Sequence, residues 1–317
     1  MILNIIFIIV GFFLLVKGAD LLVDGSSRIA RKFNVKEIII GLTIVSIGTS
    51  MPELIISVTS ALKNQSDFAI GNILGSNISN LFFILGVCSI IKPLLFKKQT
   101  VKIEIPFVIF LTALLYIFGN NGDYHLITEL EGIIFIVFCV LFTIYNIFIS
   151  KNINNSEMEK NKNKDIKLSK SFLLIMIGII LLKFGGDFVV DNASRIATLL
   201  GISERVISLT IVAISTSLPE LITSALATYK GEIDLAIGNI IGSNILNIVL
   251  IVGIMAIINP IPYSVSFNKD LMIFLIGMIF LFIVPFIGEK YKIERVSGYI
   301  YLISYFIYIS SLVFYNI

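Results

Sequence analysis

GTSMPELIIS, Gly48 to Ser57, returns later in the chain as STSLPELITS, Ser215 to Ser224, and this recurrence decides the fold. Working outward, the offset that carries Glu53 onto Glu220 also carries Asp20, Asp24, Arg28, Gly71, Asn72 and Gly75 onto Asp187, Asp191, Arg195, Gly238, Asn239 and Gly242. It carries Ser76, Asn77 and Asn80 onto Ser243, Asn244 and Asn247 without a gap. From Gly41 to Asn80, 24 of 40 positions are identical to their counterparts. Apolar bias does not produce agreement of that order, so the chain is an internal duplication.

Of the 317 residues, 57% are hydrophobic and only 14% charged, outside the range of a soluble domain. Apolar runs recur near the ~20 residues a helix needs to cross a bilayer. They lack the alternation of an outer-membrane barrel. Spans are expected at about 3–23, 38–62, 69–92, 103–120 and 126–149, and again at about 171–191, 205–229, 236–258, 269–288 and 296–315. This predicts an all-α membrane protein with ten transmembrane helices. Residues 1–150 form one five-helix repeat, 151–170 a basic linker and 171–317 the second repeat. Five is odd, so the second copy enters from the opposite side and the repeats are inverted. Met1 to Val23 lacks a basic n-region and a small-residue cleavage site, and its apolar segment returns in mid-chain as Phe172 to Val190, so it is expected to be a span rather than a signal peptide.

Charge placement agrees with inversion. If the Lys-Asn-rich linker is cytoplasmic, its side also carries Arg28, Arg31, Lys32, Lys36, Lys92, Lys97, Lys98 and Lys102, together with Lys230, Lys290, Lys292 and Arg295. The other side keeps Lys63, Arg195, Arg205 and Lys269. Lys and Arg collect on cytoplasmic loops, so both termini are expected outside a multi-pass cell-membrane protein. The linker reads as a solvated tether and topology signal. The basic charge is thereby used, and the bilayer, not nucleic acid, is the expected partner of a chain acting as a monomer.

The repeated stretch places a carboxylate, Glu53 or Glu220, in an apolar helix. An acid at mid-helix costs about 2.5–3.5 kcal/mol on insertion scales and usually faces a water-filled path or the bundle interior. Pro52 and Pro219, one residue earlier, break the backbone ladder and free carbonyl oxygens. Broken helices in inverted repeats are how secondary transporters coordinate cations near the midplane. Ser46, Thr49, Ser50, Glu53 and Ser57 form one polar stripe, with Ala213, Thr216, Ser217, Glu220 and Ser224 as its copy. On the following helix Asn72, Ser76 and Asn80 share a face, as do Asn239, Ser243 and Asn247. Interleaved Gly71, Gly75, Gly238 and Gly242 permit close helix approach, so these amides are expected to reach the glutamates. Taken singly, each is also ordinary packing glue.

Hydroxyl, amide, carbonyl and carboxylate oxygens are hard donors, and calcium takes six to eight of them. Two buried carboxylates need cations or protons to compensate them, which suits exchange. No cofactor is expected; Ca2+ and Na+ are the expected transported ions. His125, beside Asp123 in a short loop, has no partner spacing for zinc and reads as a surface histidine. Cys88 and Cys139 read as unpaired buried thiols. Lys17 and Lys183 are expected to snorkel or to pair with Asp20 and Asp187.

G-T-S-x-P-E followed by G-S-N resembles the alpha repeats of the sodium/calcium exchanger branch of the cation/calcium antiporters, prokaryotic type, over nearly the whole chain. The resemblance implies that Glu53 and Glu220 are central calcium ligands, aided by backbone oxygens of Thr49 and Thr216. It implies sodium at Ser50, Ser217, Ser76 and Ser243 with the backbone at Ser46 and Ala213, and a gate formed by the first and sixth helices. Asn80 and Asn247 are amides, where many members, potassium-dependent ones included, carry an acid at the second position; this argues against a potassium requirement. Ser215 breaks the G-T-S triplet in the second copy. The T-S-x-P-E wording favours sodium over protons as the driving ion, with calcium/proton antiport as the alternative. An intramembrane hydrolase is disfavoured, because no transmembrane histidine activates a serine and no pair of transmembrane aspartates occurs. A passive channel is disfavoured by inverted repeats with broken helices.

Overall fold

The computed structural model describes residues 1–33, 35–121, 125–151, 167–200, 216–287 and 291–315. In chain order, its helices are α1 (Ile2–Phe33), α2 (Glu37–Thr49), α3 (Met51–Leu62), α4 (Ser66–Ile91), α5 (Thr100–Gly119) and α6 (Glu129–Phe148). They continue with α7 (Leu168–Leu199), α8 (Leu218–Lys230), α9 (Ile233–Ile258), α10 (Val265–Phe286) and α11 (Arg295–Tyr315). Among the described residues, seven helices are long and apolar enough to cross a membrane, and α2 with α3, bent by 50°, would make an eighth crossing. Of the remaining expected spans, 205–229 begins outside the described residues, and 296–315 is the tyrosine-bearing helix α11.

α4 and α9 are the inner helices, 78% and 83% buried over their most apolar windows, against 22% for α1. The larger core surrounds them, with Ile73, Leu81, Ile240 and Ile248 fully buried. Ile2, Phe13, Val137, Ile303 and Phe306 point outward, as a bilayer requires of an apolar surface.

α1 and α7 pack antiparallel along a seam of small residues. A methyl group on Gly11 would lie 2.8 Å from the Gly185 carbonyl, one on Gly18 2.8 Å from that of Gly178, and one on Gly25 2.9 Å from that of Ser171. The spacing of seven keeps the glycines on one stripe, and the backbones touch because no Cβ intervenes. Both helices run well beyond the expected ends near residues 23 and 191. Hydropathy marks where lipid stops, whereas α1 continues through a polar turn that Arg28 closes by bonding Asp24, Nε to Oδ2 at 3.0 Å.

Two short ribbons join the halves. β1 (Leu94–Leu95) pairs antiparallel with β4 (Lys292–Ile293), and β2 (Leu126–Ile127) with β3 (Ile261–Pro262). Arg31 with Glu232 (3.1 Å), Lys97 with Asp234 (3.3 Å), and Lys230 with Asp20 add ion pairs between the halves. Asp20 is thus taken by Lys230 rather than Lys17, because the antiparallel α1 brings it to the end of α8. Lys183 does pair with Asp187, at 3.0 Å. His125 is not a free surface group: it is half-buried, at φ 44°, and its carbonyl accepts from the Tyr263 N–H at 2.7 Å. Cys88 is buried and Cys139 partly so, both as free thiols.

Candidate functional site

The site grows from the two prolines. Pro52 has no N–H for the Gly48 carbonyl, and Pro is tolerated only in the first turn of a helix, so α2 stops and α3 starts afresh. Ser50 at the hinge adopts φ −83°, ψ 8°. Ser217, two residues before Pro219, adopts nearly the same pair, φ −87°, ψ 3°. Glu53 and Glu220 therefore both fall in the first turn of a new helix. There the unpaired backbone N–H groups and the helix dipole favour a carboxylate that lipid alone would exclude. Each is 1% exposed.

The hydroxyls around them come from both halves. Ser50 Oγ lies 3.1 Å from Glu220 Oε1 and 3.0 Å from Ser243 Oγ. Ser76 Oγ lies 3.4 Å from Glu53 Oε1 and 3.4 Å from Thr216 Oγ1. Two trios result, Glu220–Ser50–Ser243 and Glu53–Ser76–Thr216, each mixing the first half with the second. Thr49 Oγ1 donates to Asn239 Oδ1 at 3.0 Å. The Ser46 carbonyl accepts the Ser50 N–H at 3.0 Å, closing the last turn before the hinge. Ala213 lies outside the described residues.

The amides do not reach the glutamates. Asn72 Nδ2 donates to Ser57 Oγ at 3.0 Å, and Asn239 Nδ2 to Ser224 Oγ at 2.9 Å. Each serine is one helical turn beyond its glutamate. The neighbouring helices run antiparallel, so the residue facing Glu53 is Ser76, one turn on from Asn72. Asn247 Nδ2 donates across the halves to Asn77 Oδ1 at 3.0 Å, while Asn80 Oδ1 has no donor among the described residues. A π-helical turn begins at Ser79 and another at Asn247. Such wide turns often mark functional positions.

The arrangement is rich in buried oxygen with no partner among the described residues: Glu53 Oε2, Glu220 Oε2, Ser217 Oγ, Asn244 Oδ1 and Asn247 Oδ1. Leaving a buried acceptor unmet costs about 1–3 kcal/mol, more if charged. An oxygen set of this kind fits hard cations. Among the described residues no three His, Cys, Asp or Glu side chains converge on one point. Asn77 and Asn244, both fully buried here, were not singled out by sequence reasoning as site residues. Their signal was present, since both are retained in the repeated G-S-N.

Comparison with known proteins agrees with this geometry. The chain matches the family described as "Sodium/calcium exchanger protein" over residues 3–148 and 170–314. It is 30% identical to the sodium/calcium exchanger MaX1 of Methanosarcina acetivorans, covering 95% of this chain and 96% of that one. It is 35% identical to the inner membrane protein YrbG of Escherichia coli, over 85% and 86% of the two chains. A structure of the sodium-calcium exchanger NCX_Mj superposes with a TM-score of 0.84 at 31% identity, over 98% of this chain and 99% of that one. With its helix broken at Pro52, buried carboxylates and multi-pass build, the chain belongs to the sodium/calcium exchanger protein family, membrane transporters that exchange cations for calcium rather than enzymes.

Proposed function

We propose that this chain exchanges sodium for calcium by alternating access, through ten spans arranged as two inverted five-helix repeats with both termini outside and the linker cytoplasmic. The repeats comprise residues 1–150 and 171–317, and the protein acts as a monomer. The observation that carries the reading is the pair of trios around Glu53 and Glu220, each drawn from both halves. The antiparallel α1/α7 seam and the crossed pairing of the ribbons support the inversion. The names of MaX1 and NCX_Mj support the pair of ions.

Calcium takes Glu53 and Glu220 with the backbone oxygens of Thr49 and Thr216; the two carboxylates balance its charge. Sodium ions take Ser50, Ser217, Ser76 and Ser243 with the carbonyls of Ser46 and Ala213. Asn80 and Asn247 add neutral amide oxygen. Because every trio spans the halves, sliding one half past the other must make and break the same contacts that an ion replaces. Two uncompensated carboxylates are costly to carry through the occluded state, which couples reorientation to occupancy.

The test is calcium flux into proteoliposomes driven by an outward sodium gradient, with and without potassium. Sodium-dependent, potassium-independent uptake is expected. Uptake indifferent to sodium but abolished by collapsing a pH gradient overturns the reading in favour of calcium/proton exchange.

A further inference from the structure

A further buried carboxylate, Glu104, lies outside the ion site. Glu104 opens α5 within a π-helical turn and is 1% exposed. Its Oε1 accepts from Gln99 Nε2 at 2.9 Å and from the Tyr145 hydroxyl at 3.4 Å, while its Oε2 has no donor among the described residues. Its counterpart in the second half, where the offset has slipped by one residue, is Asp270, which accepts from the Tyr308 hydroxyl at 2.9 Å as Glu104 does from that of Tyr145. An intramembrane acid of this kind calls for a functional account.

Glu104 lines a cavity of about 250 Å³ between α5 and α6, walled by Phe107, Phe138, Phe142 and Tyr145. Phe107 stacks on Phe142 at 5.7 Å and meets Phe138 edge-on at 6.2 Å. Aromatic walls around a carboxylate are the chemistry of ammonium recognition. An oxygen lacking a donor selects an ammonium that still carries N–H over a quaternary one. Ile103 and Leu141 on the rim are 43% and 52% exposed on the lipid-facing surface. Ile103 and Gln99 also border an adjoining cavity of about 440 Å³ lined by Lys36, Lys97, Lys98 and Lys102. Lys97 there is engaged with Asp234. An ammonium pocket beside a lysine-lined one, with exposed Ile103 bordering both, fits the two charges of one headgroup.

We infer that the Glu104 cavity binds the headgroup of a primary-amine phospholipid, ammonium on Glu104 and phosphate toward Lys98 and Lys102. The site is separate from the exchange residues and does not depend on which ion drives transport.

The test is lipid retention by the purified full-length protein in native mass spectrometry, with phosphatidylethanolamine and phosphatidylcholine of matched chains supplied equally. A charge-assisted hydrogen bond corresponds to about tenfold preference for ethanolamine, which Glu104→Gln removes. Equal retention by the unaltered protein, or preference kept in Glu104→Gln, overturns the inference. On the unaltered protein, dodecylammonium displaces the bound lipid and dodecyltrimethylammonium does not; equal displacement overturns the ammonium assignment. Retention of dodecylammonium without preference between the lipids overturns the lipid assignment.

Discussion

Gly242 stands where α9 crosses α2, next to Ser243 of the ion site. In Gly242→Ala the new methyl would lie 2.7 Å from Ser46 Oγ, 2.8 Å from Leu42 Cα and 2.9 Å from the Leu42 carbonyl. Two of these atoms are backbone and cannot swing aside, so α2 must retreat by roughly half an ångström to regain ordinary contact. Overpacking of this kind costs about 1–3 kcal/mol. Helix propensity returns about 1 kcal/mol, because alanine is the better helix former. The retreat also stretches the 3.0 Å approach of Ser50 Oγ to Ser243 Oγ. Losing that contact costs about 1 kcal/mol. The net expectation is destabilisation by about 1–3 kcal/mol with a marked fall in sodium-driven calcium flux. Equilibrium unfolding in mixed micelles reads the first quantity and proteoliposome flux the second. Unchanged stability and flux would refute the claim that this crossing sets the site's geometry.

Glu53→Gln and Glu220→Gln are each expected to abolish calcium flux while leaving the helical circular dichroism intact; flux retained in either removes that glutamate from the site. Asn239→Ala is expected to cost more stability than Asn72→Ala. Asn239 both donates to Ser224 and accepts from Thr49, so it loses two bonds of about 1 kcal/mol each, against one; equal losses in denaturant titrations would contradict the asymmetry. Pro52→Ala supplies the N–H that the Gly48 carbonyl lacks, so it is expected to straighten the 50° bend and slow flux without lowering the unfolding midpoint. Spin-label distances across residues 45 and 58 would report the bend, and an unchanged distance would count against proline as its cause.

What was legible in the chain follows from where each signal is stored. Pro52 and Pro219 act on their own backbone, so the break at Ser50 and the helix start after Ser217 could be read from one residue type. The burial of Glu53 and Glu220 followed from apolar surroundings. The partners of the amides were not legible, because helical spacing gives a face but not the register against the next helix; a shift of one turn moved Asn72 from Glu53 to Ser57. The length of α1 and α7 was missed for a related reason, since hydropathy reports contact with lipid and not where helical hydrogen bonding ends. The π-helical turns at Ser79 and Asn247 follow no residue rule, and only their starts one residue apart in the duplication hint at them.

The two ribbons carry one more implication. Under the offset that aligns the halves, β1 corresponds to β3 and β2 lies within a residue of β4, so the pairings β1–β4 and β2–β3 are one contact made twice. A single half holds both kinds of strand, and two such chains meeting about a two-fold axis would satisfy each other's edges in the same manner, as a closed isologous dimer does. The loop ends of this protein thus have the form of a subunit interface retained inside one polypeptide. Covalent continuity of the chain then keeps the two complementary edges in equal number.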